Sequence, residues 1–278
     1  MTKHQNSCQP TLAFVGGGQM ASALISGLIR AGRDSETILV IEPMPAQRIR
    51  LEKDLRVQTA STADERLAGV DMVVWAVKPQ VLQQALDDAR SHLGAALHVS
   101  IAAGIPVQTL ADWLGSQRVV RAMPNTAALV GAGVTGLVAA GGVSDADRRA
   151  TEATLAAAGH YFWVDDDERL DAVTAVSGSG PAYVFHFLEA FQAAAERVGF
   201  DPGTARDLVL RTALGALEQA KLGDSFGLLR ERVTSKRGTT EAALTVLDEK
   251  RTPEAVMAAV QAAYARAGEL SRELSGRT

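Results

Sequence analysis

Sulfur chemistry is almost missing from this sequence: Cys8 is the single cysteine in 278 residues, so no disulfide can form within the chain. One cysteine in a polar stretch fits a reducing compartment, and a cytoplasmic location is expected. No basic stripe interrupts a charge pattern that sums to −4 with acids and bases interspersed, which argues against nucleic acid as a partner. No long apolar run is present either. The uncharged, glycine-rich segment at residues 127–143 does not read as a membrane span, and residues 1–10 lack the apolar core of a signal peptide. Metal-ligand spacing is absent, and His4, His92, His98, His160 and His186 lie apart from one another.

What is there divides into two patterns. Apolar runs at 12–15, 38–41, 71–76, 97–100 and 119–123 read as strands, with a short one at 57–59. Helical patterns at 19–31, 46–55 and 78–93 alternate with them. Such alternation predicts right-handed crossovers and a parallel sheet covered on both faces. Residues 135–139 and 161–164 would extend that sheet, with an antiparallel arrangement as an option. After the acidic run 165–168 the character changes. Val184, Leu188, Phe191, Ala195 and Val198 recur at helical spacing, with Phe185 and Phe187 on other faces; the expectation is a helix buried nearly all round. Ala205, Leu208, Val209, Thr212 and Ala216 form a second stripe, and Val256, Val260, Tyr264 and Ala267 a third. Pro181, Pro202 and Pro253 sit where helices should start. The predicted organisation is a polar tail at 1–10, an α/β Rossmann-like domain at 11–165 and an all-α domain at 166–278. Its helices are apolar enough to require a partner subunit.

The run Gly16-Gly17-Gly18-Gln19-Met20-Ala21 follows the first strand and opens the first helix. Gly16, Gly18 and Ala21 match the three small-residue positions of the dinucleotide fingerprint, which needs a tight turn, an approach free of side chains and close helix packing. A turn that serves packing alone leaves three consecutive glycines unexplained. Glu42 ends the second strand, where an acid bonds the ribose of NAD; Arg48 could instead meet the extra phosphate of NADP. Both could be ordinary surface charges, Arg48 at least as readily as not, and the slight pull toward NADH does not settle the choice between NADH and NADPH. Ala76, Val77, Lys78 and Pro79 follow the 71–76 strand at the edge where such sheets bind ligands. Ser100-Ile101-Ala102-Ala103-Gly104 ends the next strand in a run of mostly small residues that leaves room for a flat ring, and Asn125 is a candidate polar contact after the one beyond.

A second anion-binding pattern stands at residues 233–240. Gly238 followed by Thr239 and Thr240 at a helix start leaves unpaired backbone N–H groups beside small hydroxyls, where the helix dipole favours a carboxylate or phosphate.

These motifs, with Ala76-Val77-Lys78-Pro79-Gln80, Ser100 to Gly104, Arg121 to Thr126 and Ser177 to Tyr183, together resemble pyrroline-5-carboxylate reductase over nearly the whole chain beyond residue 10. The resemblance implies NADPH- or NADH-dependent reduction of a cyclic imine to L-proline, the last step of proline biosynthesis. It implies a Rossmann domain followed by a helical dimerisation domain, and a homodimer that in this family often assembles into rings. NADPH is common in the family, which opposes the Glu42 reading. The cofactor set implied is Gly16, Gly18, Gln19, Met20, Ala21, Ala76, Val77, Lys78, Pro79, Ile101, Ala103 and Asn125. The substrate set is Ser177, Ser235, Gly238, Thr239 and Thr240, with Thr240 placed at the ring nitrogen. Its hydroxyl is a poor acid, so an orienting role is preferred to proton donation. Where the family often carries proline and glycine, this chain has Lys236 and Arg237; Arg237 is read as pointing to solvent. A β-hydroxyacid dehydrogenase would need a catalytic lysine in the helical domain, and Lys221 lacks the surrounding motif. An imine reductase acting on a different ring would share the architecture. A nucleotide sensor without turnover would have no need of the intact Gly238-Thr239-Thr240 turn.

Overall fold

The computed structural model describes residues 11–276. The tail 1–10, with His4 and Cys8, lies outside the described residues. Eight strands form one sheet: β1 (Leu12–Val15), β2 (Ile38–Ile41), β3 (Gln58–Ala60), β4 (Met72–Trp75), β5 (Leu97–Ser100), β6 (Val119–Met123), β7 (Gly133–Ala139) and β8 (Gly159–Trp163). Their order is β3-β2-β1-β4-β5-β6-β7-β8. The first six run parallel, β7 is antiparallel to β6, and β8 runs parallel to β7. The crossovers are α1 (Gln19–Arg30), α2 (Pro45–Leu55), α3 (Pro79–Ala89), α4 (Val107–Leu114) and α5 (Asp145–Ala156).

Every residue of β1, β2, β4 and β5 is buried, as their unbroken apolar runs require. Side chains alternate between the faces: Leu12 and Phe14 join one core with Leu24, Ile25 and Val40, whereas Ala13 and Val15 join another with Trp75, Leu82 and Leu110. The helix expected at 78–93 is shorter, because its last turn tightens into a 3₁₀ turn at Arg90–His92. Helices α4 and α5 fall outside the helical patterns read from the sequence. The first is short, and the second is mostly polar but begins with a capping box between Ser144 and Asp147.

Downstream come α6 (Asp167–Val173), a π turn at Thr174–Gly178, α7 (Gly180–Arg197), α8 (Pro202–Ala220), α9 (Phe226–Arg232), α10 (Thr239–Glu249) and α11 (Thr252–Ser275). The chain forms two compact units, residues 11–179 with 263–276, and residues 180–262. This division places α6 and the end of α11 with the sheet, and both ion pairs and packing join them to it. Arg121 on β6 is 1% exposed and donates to Asp167 at 2.6 Å and to Asp171 at 2.8 Å, both on α6. Asp171 also accepts from Ser271 Oγ of α11 at 2.9 Å. A buried guanidinium needs these partners, so α6 and the end of α11 are fastened to the sheet.

The expected burial of the 184–198 helix does not hold within the chain. No residue of α7 is buried, and Phe185, Phe187 and Val198 are exposed. Ala205 and Val209 are the only buried residues described in 180–262; Leu208, Thr212 and Ala216 of their stripe are exposed. Small apolar helices on a unit of this size cannot cover one another. Among the described residues, no helix is long and apolar enough to cross a membrane, and no group of three or more His, Cys, Asp or Glu could hold a metal ion.

Candidate active site

The reversal of strand order between β1 and β4 opens a crevice at their C-terminal ends, the place where doubly wound sheets bind ligands. The turns after these strands meet there. Gly16 has φ +97°, and a Cβ on it would lie 2.6 Å from the Ala76 carbonyl oxygen; only glycine allows this approach. Gly17 is enclosed as well, since a Cβ would come within 2.6 Å of Leu51 Cδ1 and 3.3 Å of Glu42 Cβ. Gly18 differs. A Cβ there would meet nothing within 4 Å, so no packing within the chain explains the glycine at this N-cap. Bare backbone at the start of α1, with Gln19 and Met20 in its first turn and Ala21 buried beneath, fits the pyrophosphate of a dinucleotide. Ala76, Val77 and Pro79 line the same edge half-buried, with Lys78 exposed at the N-cap of α3. Ile101 and Ala103 lie half-buried after β5.

Glu42 is 8% exposed and accepts from the N–H groups of Gly17 and Met44 at 2.9 Å each. Arg48 donates to the carbonyl oxygens of Glu42 and Pro43 at 2.8 Å each. Gln47 donates to the Gly17 carbonyl, a contact without any signal in the sequence pattern. The glycine turn is therefore strapped at Gly17 to the end of β2 through Glu42 and to α2 through Gln47.

Asn125 is buried and fully engaged within the chain. Its Nδ2 donates to the Ser177 carbonyl and to Ser177 Oγ, and its Oδ1 accepts from the Val134 N–H, all at 3.1 Å. Ser177 lies in the π turn, whose Ser179 N–H bonds to the Thr174 carbonyl at 2.9 Å. Such turns concentrate at functional sites, and periodicity gives no hint of this one. Arg121, part of a sequence motif but without a role legible there, holds α6 immediately ahead of that turn.

In the helical unit, Gly238 is the N-cap of α10 and Thr239 and Thr240 begin its first turn. A Cβ at 238 would lie 2.3 Å from Ser235 Oγ, so the glycine makes room for that hydroxyl beside the helix start. Thr240 is half-buried and Ser235 and Thr239 are exposed. Arg237 takes a left-handed φ of +58°, its N–H bonds to Glu241 at 2.6 Å, and its side chain is exposed. Lys221 is also exposed and pairs with Glu218 at 2.7 Å.

The opposite, N-terminal edge of the sheet carries the titrating groups that stand out. Burial, aided by the positive charge of Arg118, pushes His98 down to about 4. Arg118, hydrogen-bonded at 2.7 Å, holds Asp147 down at about 2. Neither belongs to the crevice.

A family described as pyrroline-5-carboxylate reductase dimerisation matches residues 167–270, and one described as NADP oxidoreductase, coenzyme F420-dependent, matches residues 11–104. The pyrroline-5-carboxylate reductase of Pseudomonas aeruginosa is 42% identical over 95% of this chain and 98% of its own length. Among solved structures, that of a pyrroline-5-carboxylate reductase from Coxiella burnetii aligns with a TM-score of 0.87 at 36% identity, covering 95% of this chain and 99% of its own. That of the Plasmodium falciparum enzyme with NADP bound aligns at 0.85 and 29% identity, covering 96% and 100%.

Proposed function

The chain belongs to the pyrroline-5-carboxylate reductase family, and from that premise we infer that it reduces 1-pyrroline-5-carboxylate to L-proline with NADH or NADPH, as the last step of proline biosynthesis. The structural observation that supports this best is the bare start of α1 after β1, where Gly16 packs against the Ala76 carbonyl and Gly18 leaves the approach to the helix N-terminus open. The hydride is supplied by the reduced nicotinamide when it is bound. Gly16, Gly18, Gln19, Met20 and Ala21 would hold the pyrophosphate side, and Ala76, Val77, Lys78, Pro79, Ile101 and Ala103 the rest of the crevice. Asn125, which also fixes Ser177, would complete the cofactor side.

The substrate's handle is its carboxylate. The N–H groups of Thr239 and Thr240 and the Ser235 hydroxyl receive it, helped by the dipole of α10, beside Gly238, whose own N–H is held by the Ser235 carbonyl at 3.0 Å. Thr240 Oγ1 hydrogen-bonds the ring nitrogen and orients the C=N bond; an imine bound already protonated needs no acid from the protein. Ser177 borders the reacting ring. Residues 11–165 carry the cofactor role in this reading, and 166–278 the substrate and dimerisation roles. The apolar faces of α7 and α8 are covered by a second copy, with rings of dimers as the larger assembly, in the cytoplasm.

The test is to mix the purified protein with pyrroline-5-carboxylate and NADH or NADPH and follow the loss of reduced-cofactor absorbance, with proline as the product. Absence of turnover with both cofactors sinks the reading.

A further inference from the structure

At the end of β2, packing has fixed a carboxylate in place. Glu42 Oε2 accepts from the Gly17 N–H inside the glycine turn, and Oε1 from the Met44 N–H in the turn that leads to α2. With one oxygen anchored on each side, the side chain cannot swing away. The missing Cβ at Gly17 belongs to the same arrangement, because any side chain there would press on Leu51 and on Glu42 itself. A carboxylate has about four acceptor positions; two are used, and the others can meet a hydroxyl donor.

In this fold the adenosine ribose lies at the C-terminal end of the second strand, beside the glycine turn. A 2′-hydroxyl there can donate to Glu42. A 2′-phosphate brings negative charge against a fixed negative group and has no favourable way to pair with it. The cation nearest in sequence, Arg48, is half-buried and spends Nη1 on the backbone carbonyls of Glu42 and Pro43. Arg50, further along α2, lies 3.6 Å from Asp54. We propose that Glu42 sets the cofactor choice of this enzyme, selecting NADH over NADPH. The proposal rests on the reading that the chain uses a nicotinamide dinucleotide.

Binding tests it without turnover. The protein, without imine, is titrated with NADH and with NADPH, following cofactor fluorescence. NADH should bind at least about tenfold tighter. In competition against bound NADH, AMP should displace more effectively than 2′,5′-ADP. Glu42→Gln should narrow the NADH/NADPH ratio at least about fivefold, mainly through tighter NADPH binding. Arg48→Ala should retain the wild-type preference. Equal or tighter NADPH binding by the wild type overturns the proposal and leaves the dinucleotide reading standing; binding of neither cofactor overturns both. An unchanged ratio in a folded Glu42→Gln protein also overturns it, as does selective loss of NADPH binding in Arg48→Ala. Should Glu42→Gln fail to fold, the AMP and 2′,5′-ADP comparison on the wild type decides.

Discussion

Asn125 donates to both the carbonyl oxygen and the hydroxyl of Ser177, at 3.1 Å each, so one side chain after β6 fixes the shape of a π turn 52 residues later. Its carbonyl oxygen also satisfies the Val134 N–H. Asn125→Ala should therefore lower kcat about tenfold or more by loosening the turn, and cost about 1–3 kcal/mol of stability through the orphaned N–H group and carbonyl. Steady-state kinetics with a parallel urea titration checks both. Wild-type kcat in this variant removes Ser177 positioning from the mechanism.

Arg121 is a second fastening, and it is almost fully buried. Arg121→Met leaves Asp167 and Asp171 facing the place of a lost charge, and the expected cost is about 3–5 kcal/mol. Lysine cannot reproduce the two-pronged geometry and should rescue only in part. A loss below about 1 kcal/mol in chemical denaturation would contradict the role given to this pair of bonds.

Two glycines of the turn after β1 should respond differently to one methyl group. Gly18→Ala meets open space, so its thermal midpoint should stay near wild type while the cofactor dissociation constant rises at least about tenfold. Gly17→Ala collides with Leu51 and should destabilise the fold by about 1–3 kcal/mol. Unchanged cofactor binding in Gly18→Ala would mean that the open space there is not the pyrophosphate seat.

Acid should weaken the protein through His98. Its folded pKa is about 4 against about 6.5 for a free imidazole. The folded state thus binds fewer protons, and the associated stability is complete above pH ~6.5 and is lost as pH falls toward 4. The full span is worth about 3 kcal/mol. Asp147 acts in a lower window, with its contribution present above pH ~4 and lost as pH falls toward 2. Urea titrations from pH 7 to 4 on the wild type and His98→Leu isolate the histidine; parallel pH slopes would rule out its involvement.

Thr240→Val should reduce kcat roughly 10- to 100-fold while cofactor binding holds, because it removes an orienting hydroxyl and keeps the shape. Thr240→Ser should recover most of the rate. Retained turnover in the valine variant takes Thr240 out of the mechanism.

Most of the sheet is legible in the sequence because its strands are buried on both faces and read as short, unbroken apolar runs, such as 12–15 and 38–41. The glycine turn is legible from its place between strand and helix. The π turn is not, because nothing periodic marks a single widened turn that Asn125 and Ser177 stabilise across 52 residues. Nor is the bond from Gln47 to Gly17, which depends on how α2 settles against the turn. Glu42 is visible as an acid at a strand end; that both its oxygens are fixed by backbone N–H groups requires three dimensions. The apolar stripe at 184–198 does mark a helix, yet periodicity cannot say whether the surface that buries it belongs to the same chain.

With only Ala205 and Val209 buried across residues 180–262, the stability of that helical unit becomes a property of the solution as much as of the chain. Association sets it by mass action, so the thermal midpoint should climb with protein concentration, and dilution alone should act as a denaturant.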